Sequence, residues 1–112
     1  MTSTQSSRLG QFEQLVLLAV LRLEDAAYAP AILDEIEQAT GKPPSPGSMY
    51  VTLDRLEEKG LLRSRLAEST DERGGRPRRY VTVTAYGLRE LRSSRAALLK
   101  LWRGLEGVLE NS

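Results

Sequence analysis

The chain has 112 residues, a formal net charge of +1, no Cys and no His. That length suits one small domain with a thin core, to which a dimer partner adds burial. The missing residue types exclude disulfides, thiolate chemistry and the commonest metal ligand and general base, so neither a metal nor a cofactor is expected.

The longest apolar run, 15–21, is too short to span a bilayer, and the N-terminus lacks an apolar signal core. A cytoplasmic protein with no membrane partner is therefore expected. Charge is unevenly spread. Residues 9–45 hold two bases against six acids, whereas residues 60–84 hold six arginines against three acids. A phosphate backbone needs such a local basic surface, not a basic protein.

Residues 1–7 are rich in Ser, Thr and Gln and read as a disordered tail. A first helix is expected from about Arg8 to Leu23, with Leu9, Phe12, Leu15, Val16, Leu18, Ala19 and Leu23 at three- and four-residue steps. Leu17, Val20 and Leu21 carry the stripe almost all the way round. Such a helix is buried on two sides, either as a central core helix or between its own domain and a second subunit.

A second helix is expected over residues 28–40, with Tyr28, Ile32, Leu33, Ile36 and Ala39 on one face, Pro30 in the first turn and Gly41 as the stop. The KPPSP link is stiff, because a residue before proline avoids helical geometry. Ser45 and Pro46 then read as N-cap and first residue of a third helix that ends at Gly60. Met49, Leu53 and Leu56 form its apolar side; Gly47, Ser48, Val51, Thr52 and Arg55 are assigned to the opposite face. A face that small and polar suits a recognition helix entering the DNA major groove.

Strands are expected over residues 61–67 and 79–84, joined by the polar loop ESTDERGGRPR. Arg73, Arg76, Arg78 and Arg79 follow one another without an intervening acid, so this hairpin is either an ordinary charged loop or a wing against phosphate or minor groove. Arg79 is the one assigned a structural part. A last helix, capped by Thr84, is expected to run to about Glu110 with Leu88, Leu91, Leu98, Trp102, Leu105 and Leu109 in a heptad-like stripe interrupted at Arg95. The domain is already closed by three helices and a hairpin, so this stripe is assigned to a partner subunit, together with Leu9 and Phe12.

The expected fold is mainly α with a small β-hairpin, a winged helix-turn-helix over residues 8–84 followed by a dimerisation helix over 85–112. The segments LGQFEQLVLLAVL, AAYAPAILDEIEQATG, SPGSMYVTLDRLEEKGLL and GGRPRRYVTVTAYG resemble the PadR family of bacterial transcriptional regulators. The match runs in order from Leu9 to Gly87, and its most specific part is the run from Gly47 to Leu61 joined to GGRPRRY.

The resemblance implies a homodimer, joined through the C-terminal helix, that represses by binding an inverted repeat in double-stranded DNA. It implies that Tyr50 lies at the DNA backbone and that Arg76 and Arg78 are wing arginines. It also implies a member without a large added effector domain. The chain departs from the family at Ala29-Pro30, at Val81 and at Ala85-Tyr86, none of them in the reading head.

Each assignment has a plainer counterpart. Tyr50 is either a half-buried tyrosine with a wet hydroxyl or a phosphate contact. Arg55 either pairs with Glu58 or Glu24 or reads guanine. Ser48 either supports the cap or bonds to phosphate. Trp102, the sole tryptophan, either packs across the dimer seam or stacks on a small aromatic effector, as in some relatives that bind aromatic effectors near the dimer axis. A winged-helix interaction module that no longer binds DNA is the competing class, and it would be favoured by loss of the basic wing or by an acidic recognition face. An enzyme is disfavoured by the absent His, Cys and phosphate-cradling glycine loop.

Overall fold

The structure, a computed structural model, describes residues 9–67 and 77–110. Its elements follow in the order α1 (Gln11–Leu23), α2 (Ala29–Thr40), α3 (Pro46–Glu58), β1 (Leu62–Ala67), β2 (Arg78–Val83), α4 (Ala85–Trp102) and α5 (Glu106–Glu110). A single 3-10 turn, Glu24–Ala26, joins α1 to α2.

Helix α1 starts after an extended Gly10, whose N–H donates to the Glu13 carboxylate at 2.9 Å. Its Val16, Leu17, Ala19 and Val20 enter the core, while Leu18 and Leu21 stay exposed. Helix α2 buries Ala29, Ile32 and Ile36, and α3 buries Met49, Thr52, Leu53 and Leu56 at the expected three- and four-residue steps. Leu61, Leu62 and Val81 close the core from the hairpin side. Each fully buried aliphatic side chain of this kind stabilises by about 1.5–3 kcal/mol relative to exposure.

The end of α3 sets where the wing begins. The Gly60 N–H donates to Glu57 O and the Leu61 N–H to Leu56 O, both near 3 Å. Gly60 takes a φ of +81°, which only glycine adopts without strain, and the buried Leu61 and Leu56 seal this Schellman cap.

The chain then enters an antiparallel pair, β1 against β2, in register from Leu62 opposite Val83 to Ala67 opposite Arg78. Two further bonds tie the hairpin down: Val81 N–H donates to Ala27 O at 2.9 Å and Thr84 N–H to Leu61 O at 3.1 Å. Three packed helices followed by this two-stranded wing make a winged helix-turn-helix, mainly α with a small hairpin.

Two expectations are corrected here. Ala39 is exposed and takes no part in the buried face of α2. The last helix is not continuous to Glu110. It ends at Trp102, Gly104 takes a φ of +83°, and a five-residue helix follows. The glycine at the turn and a second at Gly107 leave too little helix propensity to carry the stripe through. Among the described residues no helix is long and apolar enough to cross a membrane.

Candidate nucleic-acid interface

Helix α3 presents one face to the core and the other to solvent. Ser45 caps its start: the Ser45 hydroxyl oxygen accepts from the Ser48 N–H at 3.1 Å, and the Ser45 and Ser48 hydroxyls are 2.9 Å apart. The exposed surface then carries Gly47, Ser48, Tyr50, Val51 and Arg55. Tyr50 and Val51 are half exposed, an unusual position for side chains with so much apolar surface.

Val51, Asp54, Arg55, Glu57 and Glu58 border a shallow open depression along the helix. Arg55 makes no ion pair among the described residues, so neither Glu58 nor Glu24 holds it. Ser48 is part of the cap, so its plainer role is realised, and its exposed edge also faces outward.

Thr52 does not belong to this surface. It is only 5 % exposed and lies with Met49, Leu53 and Leu56. Three residues on from Met49 is the same edge of the helix, so Thr52 falls on the core side and not on the opposite face. A side chain buried there is not on the exposed face expected to contact DNA.

The wing adds two side-chain clusters built on arginine. Arg79 on β2 donates to Asp54 at 3.0 Å and to Glu57 at 2.7 Å, both on α3, and its Nε donates to Ser64 on β1 at 3.2 Å. This is the structural part expected for Arg79, with partners that sequence position alone does not identify. The Ser64 hydroxyl also donates to Glu57. The hydrogen bonds from Ser64 and then Arg79 hold the Glu57 carboxyl below its ordinary pKa. Burial works against the charge of Arg79, but its bonds to Glu57 and Asp54 outweigh that and raise its pKa.

On the other side of the hairpin, Arg65 stacks over Tyr80 and Arg78 over Tyr28, each 4.8 Å from the ring centre. The two rings are 5.6 Å apart, so four side chains form one continuous stack. Sequence reading missed this cluster, because Tyr28 and Tyr80 are far apart in the chain and only the fold joins them. Arg78 is thus held against Tyr28 in the strand pair nearest the hairpin loop. Arg73 and Arg76, the other wing arginines assigned to DNA, lie outside the described residues.

The residues assigned to a partner subunit separate into two groups. Leu9 and Phe12 are partly buried against the domain's own core, and Leu91 is in it. Leu98, Leu105 and Leu109 are about half exposed or more, and Trp102 is 38 % exposed. Leu98 and Trp102 of α4, together with Leu88, Leu18 and Leu21, line an open apolar groove of about 600 Å³ between α4 and α1. Arg92 and Arg95 also border it, so the position that interrupts the stripe contributes a charge to the rim.

Comparison with known proteins places this architecture. The model of the transcriptional regulator PadR-like family matches residues 17–93. A PadR-like transcription factor structure from Bacteroides fragilis is 28 % identical, covers 95 % of each chain and superposes with a TM-score of 0.71. A PadR family transcriptional regulator from Eggerthella lenta is 34 % identical over 88 % of this chain and 84 % of its own, with a TM-score of 0.63. A PadR family transcription regulator from Clostridium difficile, 24 % identical over 91 % of this chain and 97 % of its own, shares the fold with a TM-score of 0.67. No curated protein sequence matches. With most of its length inside the family match and a winged helix that exposes a capped helix face, the chain belongs to the PadR-like family and is a DNA-binding transcriptional regulator, not an enzyme.

Proposed function

We propose that this protein is a cytoplasmic homodimeric repressor that binds an inverted repeat in double-stranded promoter DNA and associates with the nucleoid when bound. The observation that supports it best is the exposed face of α3, small at its capped end and carrying Arg55 without an ion-pair partner among the described residues. In the major groove, Arg55 and Val51 reach base edges, the first to guanine and the second to a thymine methyl. Gly47 allows close approach, and Ser48 and Tyr50 take phosphate oxygens. Arg73, Arg76 and Arg78 grip the backbone without regard to sequence.

The apolar groove between α1 and α4 takes a second copy of the chain, with Leu98 and Trp102 at the seam and Leu105 and Leu109 extending it. An exposed apolar surface of this kind marks a protein contact, and a two-fold dimer sets two reading heads on one face of the duplex. Trp102 at such a seam can also stack on a small planar aromatic effector. Titrating a panel of phenolic acids and planar drugs while following the fluorescence of this sole tryptophan tests that part; no response across the panel contradicts it.

Footprinting on the region upstream of the chain's own coding sequence tests the main reading. Two protected half-sites about 10–10.5 base pairs apart, or a multiple of that, are expected. Protection of one half-site or none contradicts it.

A further inference from the structure

The two tools of the proposed reading head, the helix that discriminates and the wing that grips, are joined at the surface by a polar cluster centred on Arg79. Arg79 on β2 directs three donor nitrogens at two other elements: Nη1 at Asp54 and Nη2 at Glu57 of α3, and Nε at Ser64 of β1. Ser64 in turn donates to Glu57, so the carboxylate on the helix is held from both strands. Asp54 and Glu57 border the same depression as Val51 and Arg55, so the contact falls beside the side chains assigned to base readout.

The hairpin does not need this contact in order to stay on the domain. Val81 and Leu62 anchor it in the core, and the backbone bonds to Ala27 and Leu61 fix its base. What the guanidinium adds is a rigid planar fork between the wing and the outer face of α3.

We infer that Arg79 is a positioning residue for sequence discrimination: with Asp54, Glu57 and Ser64 it fixes the angle between the recognition helix and the wing without touching DNA. This inference rests on the DNA-reading function proposed above. Its consequence is specific. Loosening the clamp lets the wing hold the backbone while the helix loses register with the bases, so preference for the operator falls and general affinity remains.

Two variants test it against plainer roles for the same residues. Affinities are measured for a labelled duplex of the chain's own upstream promoter and for a base-shuffled duplex of equal length. Arg79→Lys keeps the charge but gives up the fork. The promoter-to-shuffled affinity ratio should fall roughly tenfold, comparable to losing one base contact.

Asp54→Ala/Glu57→Ala removes the helix side of the clamp on an exposed surface, and charge alone would tighten binding to both duplexes alike. The clamp instead predicts a ratio again reduced roughly tenfold, with shuffled-duplex affinity unchanged or higher. A parent-like ratio in either folded variant overturns the inference, including the case in which only thermal stability drops. Should Arg79→Lys fail to fold, the helix-side variant decides alone. A parent chain that prefers neither duplex overturns the proposed function itself, whereas a discriminating parent beside equally discriminating variants overturns only the clamp.

Discussion

At Gly87 the chain leaves no room for any side chain. A Cβ there would stand 2.4 Å from the Leu61 carbonyl oxygen and 2.7 Å from Val83 Cγ1. The Leu61 carbonyl already accepts from the Thr84 N–H, and that same turn starts α4, so neither neighbour can yield cheaply. Gly87→Ala should therefore lose about 1–3 kcal/mol of unfolding free energy in urea titration, whereas Gly47→Ala, which meets nothing within 4 Å, should lose none.

Arg55 makes the complementary point about function. It has no ion-pair partner among the described residues, so Arg55→Ala should leave the melting temperature unchanged. In competition assays it should cost about 1–3 kcal/mol of preference for the operator over shuffled DNA. Single residues were legible in the sequence to different depths. The Ser45 cap, the Gly60 stop and a structural Arg79 follow from local chemistry and position. Thr52, assigned to the outer face, is buried because three residues on from Met49 lies on the core edge of the helix.

At the scale of elements, contacts between helices carry information that no local pattern holds. Glu13 at the start of α1 is only 8 % exposed. It accepts from the Gly10 N–H and, at 3.1 Å, from Lys59 Nζ at the end of α3. One carboxylate thus caps α1 and pins α3 to it. Glu13→Gln should destabilise the fold by about 1.5–3 kcal/mol in denaturant titration, the usual effect of losing a hydrogen-bonded charge; no change would show that the pair is solvated.

The order and type of α1, α2, α3 and the hairpin could be read from periodicity and stop residues. The Glu13–Lys59 pair and the Tyr28–Tyr80 stack could not, since each joins residues that only tertiary packing brings together. The break of the last helix was half legible. Gly104 and Gly107 lower helix propensity near its end, but propensity alone does not say where a weak helix gives way.

For the molecule as a whole, shape and exposure point outward from the domain. The Cα radius of gyration is 16.3 Å and the longest extent 54 Å, against roughly 13 Å expected for the radius of a compact chain of about 100 residues. The far part of α4, the turn after it and α5 hold Leu98, Leu99, Leu101, Leu105, Val108 and Leu109, all at least about half exposed. In the proposed dimer a second copy of the chain covers them and adds to the thin core of one small domain. Leu98→Arg should leave the secondary structure intact but shift sedimentation from dimer to monomer at micromolar concentration; an unchanged dimer would mean that the seam lies elsewhere.

The central claim is that two such heads read one operator. Its most direct test is the affinity of the purified protein for its own upstream promoter duplex and for a shuffled duplex, measured by fluorescence anisotropy across salt concentration. The account predicts tighter binding to the promoter by at least roughly a thousandfold, two chains per duplex, and affinity that falls with salt at a slope of about 0.9 per phosphate contact. Equal affinity for the two duplexes, or binding insensitive to salt, would contradict it.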